Sequence, residues 1–223
     1  AVESIAFINH PLAPDALFAL GKSLTESRIK QAITQWILRR SLTSWSQYDL
    51  KNRLKSSGIY DPESTQIIPI STPKPSQKKK LKVDEIAKLQ GDPTRGKTTI
   101  MRCTMCHEVN GLGANYGPRL EGWAAKQSTS AIIHAIINPS QGIAHGFQGT
   151  EYILKDGGII HGITESQGDP AIVLTQGGLT QMVPRSKVES SKRMKRSLML
   201  SAEQLALSSQ DVADIVAYMK GWE

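Results

Sequence analysis

A mainly α fold with an inserted run of antiparallel β-hairpins is what this 223-residue chain predicts. Two patterns predict it. Apolar residues recur at helical spacing towards both ends, whereas over residues 150–188 short runs of Ile, Val, Leu and Thr alternate with glycine-bearing turns. A third observation bounds the class: no apolar run approaches the roughly 18 residues of a membrane span. Charged residues at 21% are too few for wholesale disorder.

The elements follow in order. Asp15 to Leu20 is a short apolar stretch closed by Gly21. Arg28 to Arg40 is a clearer helix, with Ile29, Ile33, Trp36 and Ile37 on one face. Ser44 to Lys55 is a weaker helix capped at Gly58. Together, residues 1–60 form a helical segment resembling the end of a repeat stack. Residues 61–83 read as a linker. Pro62, Pro69, Pro73 and Pro75 break helices there, and Lys74, Lys78, Lys79, Lys80 and Lys82 repel one another. Residues 84–223 form the second domain. Asp92-Pro93 starts a helix running to about Ile100, and Ser128 to Ile137 is another, ended by Asn138-Pro139. The strands expected are Glu151–Lys155, Ile159–Thr164, Ala171–Gln176 and Leu179–Pro184, joined by tight turns. Ser209 to Trp222 is the last helix. Ser208 and Asp211 form its capping box, and Val212, Ile215, Val216, Met219 and Trp222 its buried stripe.

The net charge of +7 is uneven. Residues 1–90 hold 14 Lys/Arg against 8 Asp/Glu, and residues 91–223 hold 13 against 12. The lysine cluster reads as a solvated linker in preference to a docking patch, because no aromatic residues interleave with it to stack bases. Nucleic acid is therefore not an expected partner. The chain opens at Ala1 with no basic-then-apolar leader, as expected after removal of a signal or in a piece of a longer protein. Only 12 residues are aromatic (3 Phe, 4 Trp, 5 Tyr), a thin supply that points to a bound group completing the core.

The chemistry lies in Cys103-Thr104-Met105-Cys106-His107. Both cysteines of the chain fall in this C-x-x-C-H run, the attachment pattern for c-type haem. A helical turn after Cys103 places both sulfurs on one side, within reach of the two vinyl groups of one porphyrin, and His107 projects onto the iron. A thioredoxin-like pair needs a β-α-β setting that is missing here. A structural zinc site needs a second ligand pair, which His10, His134, His145 and His161 do not supply at close spacing. Gly111, Gly113 and Gly117 let the following loop wrap tightly. Pro118 has a carbonyl placed to accept the Nδ1–H of His107, and Leu120 and Trp123 are candidates to cover the ring edge.

The opposite axial position calls for a second ligand. Met101 and Met105 lie too close to the attachment site. Met182 falls in a strand, Met194 in a charged stretch read as solvated, and Met219 on the core face of the last helix. Met199 sits in a loop about ten residues before that helix. A thioether there favours the ferrous state. Met199 is the expected ligand, with His134, His145 and His161 as alternatives.

With these motifs in view, residues 84–223 resemble the c-type haem-binding domain typical of planctomycetes and verrucomicrobia. The resemblance is carried by Gly91-Asp92 to Gly96, Cys103 to His107 with Val109-Asn110-Gly111, and Gly117-Pro118-Arg119-Leu120. It continues through Ile137-Asn138-Pro139-Ser140, Lys155-Asp156-Gly157, Ser197-Leu198-Met199 and the Asp214 to Tyr218 helix. It implies a class I cytochrome c-like helical fold, with Gly96 and Ile100 opposite Tyr218 at a helix crossing. The sequence departs from the family at Leu200, where a proline is usual after the ligand Met, and at Ile100, where Phe is favoured. Such domains are often the C-terminal part of PQQ-dependent-like dehydrogenases with HEAT-like repeats.

The expected function is outer-sphere electron transfer by one haem c held through Cys103 and Cys106. The resemblance implies a dehydrogenase domain as donor and a cytochrome or oxidase as acceptor. Haem attachment of this kind takes place outside the cytoplasm, so a periplasmic location is expected. The inserted residues 150–188 either shape a docking surface or elaborate the fold. The alternative function is a haem enzyme or gas sensor, which requires a displaceable sixth ligand.

Overall fold

The computed structural model describes residues 2–61, 63–74 and 81–222. Pro62, Pro75 and Lys78, Lys79 and Lys80 of the linker lie outside the described residues. The chain divides into two compact units. The first comprises residues 1–68, 164–173 and 180–188, and the second residues 69–163, 174–179 and 189–223. Parts of the 150–188 stretch therefore belong to each.

In the first unit, α1 (Val2–Ala6), α2 (Leu12–Ser23), α3 (Ser27–Ser41) and α4 (Leu50–Ser56) surround a core of Leu17, Ile33, Ile37, Trp45, Leu50 and Leu54. The α3 stripe read from the sequence faces this core. Ile33 and Ile37 are wholly buried, and Ile29 and Trp36 pack at its margin. Trp45 is fully buried because its indole N–H finds an acceptor, the Ile8 carbonyl at 3.0 Å. The expected Ser44–Lys55 helix is broken in two. Asp49 adopts a left-handed conformation (φ 48°) between a short 3₁₀ turn and α4, and its carboxylate accepts from the Asn52 side chain. Asp tolerates this backbone better than most residues do.

The second unit begins with the single-turn α5 (Val83–Ile86), which the sequence reading did not anticipate, and α6 (Pro93–Thr99). Asp92 caps α6 by accepting from the N–H groups of Thr94 and Arg95, and Pro93 occupies the first helical position. A 3₁₀ turn, Ile100–Cys103, carries the chain from α6 into the C-x-x-C-H motif. Then come α7 (Thr129–Ile137), capped by Ser128, and α8 (Ser209–Lys220), whose Ser208/Asp211 capping box is complete. Ile86, Ile100, Ile132, Ile133, Val212, Ile215 and Val216 make the core beneath them.

The close crossing of α6 and α8 organises this unit. A Cβ on Gly96 would lie 2.0 Å from the Asp214 carbonyl oxygen, and one on Gly91 would lie 2.3 Å from that of Ala213. Only glycine permits this approach. The crossing is locked by Asp214, 2% exposed. Its carboxylate accepts from Arg95 Nε at 2.7 Å and Nη2 at 2.9 Å, from the Asp92 N–H at 2.8 Å and from Gln210 at 2.9 Å. These donors, Arg95 foremost, hold the Asp214 carboxyl down to about 2. A depressed carboxyl stabilises the fold above its unfolded pKa of about 4, and the contribution is lost as pH falls through the folded value. On that basis Asp214 contributes about 2 kcal/mol at neutral pH. Asp214→Asn is expected to be less stable by about that much at neutral pH, with the gap closing near pH 2. Chemical denaturation at both pH values measures the gap, and a constant gap would contradict this account.

Five strands form one antiparallel sheet in the order β4-β3-β2-β1-β5: β1 (Gly149–Leu154), β2 (Ile159–Ser166), β3 (Ala171–Thr175), β4 (Leu179–Val183) and β5 (Val188–Arg193). In the β1/β2 pair Gly149 faces Ile163 and Glu151 faces His161. With 40% helix and 15% strand, the chain is mixed rather than mainly α. The difference comes from a complete sheet where the sequence suggested only local hairpins. β5 escapes a hydrophobic pattern search because its residues are almost all exposed. It is an edge strand, where charges such as Glu189, Lys192 and Arg193 discourage further pairing. Its backbone leads into Met194, which is 7% exposed and not solvated as its basic neighbours suggest. The Met194 N–H bonds the Gly149 carbonyl at 2.9 Å.

The described residues 63–74 of the Pro-rich stretch form neither helix nor strand, yet they are hydrogen-bonded. Ile68 exchanges bonds with the Gln181 side chain in the first unit. In the second, the His161 N–H donates to the Ile70 carbonyl at 2.8 Å, the Thr72 N–H donates to His161 Nδ1 at 2.9 Å, and Arg196 donates to the Thr72 carbonyl at 2.8 Å.

Candidate haem-binding site

The site is built outward from the turn that follows α6. The N–H groups of Cys106 and His107 both donate to the Cys103 carbonyl, at 3.0 and 2.8 Å. This single turn places the residues of the motif around one wall. The loop beyond folds back on it: Ala114 N–H bonds the Thr104 carbonyl, and Tyr116 N–H bonds the Cys106 carbonyl. The loop then runs flat against the imidazole. A Cβ on Gly117 would sit 2.4 Å from His107 Cε1, so no larger residue fits there without moving the ring.

His107 is 6% exposed. Its Nδ1 lies 2.7 Å from the Pro118 carbonyl oxygen. A carbonyl only accepts, so Nδ1 carries the proton and Nε2 keeps its lone pair. Burial pushes the imidazole pKa below its ordinary value, against the smaller opposing pull of the Pro118 bond. The ring is thus neutral and oriented, the state a metal ligand requires. Cys103 and Cys106 are free thiols. Burial raises both, Cys103 to about 11, so they are protonated at neutral pH.

These groups line a cavity of about 420 Å³. Cys103, Cys106 and His107 share its wall with Pro118, Leu120 and Trp123, and with Met199. Trp123 is 38% exposed and so sits at the rim. The structure thus brings all seven predicted site residues around one cavity. The Met199 loop is pinned in two steps. The Met199 N–H donates to Ser197 Oγ at 3.0 Å, and the Ser197 N–H donates to Ser140 Oγ at 3.1 Å. Ser140 follows α7, and its role had no signal beyond its place in the Asn138-Pro139-Ser140 run.

The alternative ligands stand elsewhere. His161 is buried, but its Nδ1 accepts from Thr72 and its Nε2 lies 2.9 Å from Glu151 Oε2. Neither His134 nor His145 lines the cavity. Met194 packs with Tyr116 and Leu198 outside the cavity lining. Among the described residues no cluster of three or more His, Cys, Asp or Glu side chains could hold a metal ion. Sequence reasoning missed two wall elements. Ile143, Ala144 and Phe147, after α7, carry no motif, and Tyr116 was overlooked although it directly precedes Gly117-Pro118.

The donor set suits haem c. Two thiols lie in one wall, one imidazole has its second nitrogen already committed, a thioether stands on a tethered loop, and the rest of the lining is mostly apolar. A family model for cytochrome c matches residues 93–167. That span holds Cys103, Cys106, His107, Pro118, Leu120 and Trp123, and Met199 lies beyond it. No curated protein matches the chain. The match supports a c-type haem-binding domain with a role in electron transfer. No helix among the described residues is long and apolar enough to cross a membrane.

Proposed function

We propose that the chain is a monohaem electron-transfer protein, anchored to its haem through Cys103 and Cys106, with His107 and Met199 as axial ligands. One observation carries the reading: two free thiols, an imidazole oriented by Pro118 and a tethered thioether line the same cavity. Haem c, when bound, supplies a one-electron couple. The chain's own residues do the rest. Pro118 keeps the His107 tautomer fixed and its Nε2 basic. Ser140 and Ser197 hold the backbone of the Met199 loop. Leu120 and the wall after α7 keep water away, and Trp123 covers the rim. A dry site with two retained ligands changes little between oxidation states, as electron transfer favours.

The finer assignment is also a proposal. The domain, residues 84–223, belongs to the planctomycete and verrucomicrobial type. It follows a helical segment, residues 1–60, and a linker, residues 61–83. Its donor is a dehydrogenase domain oxidising a sugar or alcohol, its acceptor a cytochrome or oxidase, and its location the periplasm. What supports this is the set of separated motifs from Gly91 to Tyr218, together with a chemistry of attachment that occurs outside the cytoplasm.

The test is the visible spectrum of protein exported in a host with c-type maturation machinery. A low-spin six-coordinate c-type spectrum is expected, with a far-red sulfur-to-iron band that disappears in Met199→Ala. Rapid binding of carbon monoxide to the reduced wild-type protein would instead favour the enzyme or sensor alternative. Absence of bound haem would end the proposal.

A further inference from the structure

Part of the stretch that the sequence marks as a linker is a strap that grips the Met199 loop at both ends. Its backbone is stiff by composition. Pro73 fixes its own φ and biases Thr72 towards an extended conformation. The strap is anchored on β2. The Ile70 carbonyl accepts from the His161 N–H at 2.8 Å, and the Thr72 N–H donates to His161 Nδ1 at 2.9 Å. His161 accepts there because its Nε2 carries the proton towards Glu151 Oε2, 2.9 Å away. Lys192 holds the Glu151 carboxylate in turn, at 2.8 Å.

From this anchor the strap's carbonyls reach the loop. Arg196, three residues before Met199, donates to the Thr72 carbonyl at 2.8 Å and to the Pro73 carbonyl at 3.2 Å. Gln204, five residues after Met199, donates to the Pro73 carbonyl at 3.1 Å and to the Lys74 carbonyl at 3.2 Å. One carbonyl, that of Pro73, thus joins the two ends of the segment that presents the thioether. Residues 197–204 contain no proline, so the segment draws its rigidity from its bonds. We infer that residues 70–74 are a positioning element for the sixth haem ligand: through Arg196 and Gln204 they hold the Met199 loop closed and slow its exchange for an external ligand. The inference rests on the reading of Met199 as an axial ligand. The guanidinium bonds are charge-assisted and so the stronger half of the grip. Neither Arg196 nor Gln204 lines the cavity, so each acts on the ligand through the loop.

The experiment is stopped-flow displacement of Met199 by imidazole in ferric exported holoprotein, followed at the far-red sulfur-to-iron band. At saturating imidazole the rate reports opening of the Met199 loop. Arg196→Gln should raise that limiting rate about tenfold, the effect of losing charge-assisted hydrogen bonds. Before mixing, its band stays in place. Asp214→Asn is the comparison, because it weakens the α6–α8 crossing and leaves the strap's bonds alone. It should lower the urea midpoint without raising the limiting rate. Equal acceleration in both variants would mean that displacement follows overall stability, and would overturn the inference. So would an unchanged rate in Arg196→Gln. If Arg196→Gln does not mature, Gln204→Glu decides. It keeps an acceptor for the Ser201 N–H, 2.9 Å away in wild type, and loses both donors to the strap. Acceleration then supports the strap, and its absence overturns it. A wild-type protein without the sulfur band overturns the Met199 reading and the strap with it, whereas unchanged kinetics with the band present overturn the strap alone.

Discussion

Replacing Cys103 and Cys106 together by alanine is expected to remove all covalently held haem. The two sulfurs lie in one cavity wall and are free, so each is available for one thioether bond. His107 and Met199 remain in the double variant, so residual binding would be by coordination alone and would not survive denaturation. Haem staining after denaturing electrophoresis should fall to background. The alkaline pyridine spectrum of any pigment left should change from c type to b type. Each single variant should retain one bond and an intermediate spectrum. If the exported wild-type protein instead presents both thiols to an alkylating reagent, the cysteines serve another chemistry and the assignment is wrong.

Gly96→Ala should be among the most destabilising single changes in the second unit. The added methyl carbon would stand 2.0 Å from the Asp214 carbonyl oxygen and 2.9 Å from Tyr218 Cβ. The backbone of α8 cannot turn aside as a flexible side chain could. The helices must separate, and the Arg95–Asp214 bonds stretch with them. Overpacking in a tight core costs about 1–3 kcal/mol and sometimes more. The upper end is expected here, because backbone is struck and the donors to the buried Asp214 carboxylate are pulled away as well. The fall in the urea midpoint of the holoprotein measures it. An unaltered midpoint would mean that α6 and α8 do not cross this closely.

Much of the site was legible because it is local. The C-x-x-C-H run, Gly117 and Pro118 lie within sixteen residues, and the turn they make follows from their own backbone bonds. The caps at Asp92, Ser128 and Ser208 were equally readable, since each cap acts on the turn it begins. What could not be read depends on pairing across the sequence. β5 shows no alternation because its exposed edge needs none. Met194 looked solvated because Lys192, Arg193, Lys195 and Arg196 surround it in sequence, while the fold turns its thioether inward. The hold of Ser140 on Ser197 spans 57 residues. The tie of Thr72 to His161 spans 89. Neither separation leaves a pattern in one strand of text.

The crossing of α6 and α8 also has a kinetic consequence. Arg95 and Asp214 are 119 residues apart in the chain, so the contact that closes the second unit is among its most non-local. Loop closure must precede the energy that repays it, and such contacts slow folding. Domains fold as units, so until α8, the last twelve-residue helix, has docked on α6, the unit that carries the two cysteines is not closed. Under the proposed function, with attachment outside the cytoplasm, the sulfurs are expected to be reached on the exported chain before this contact forms.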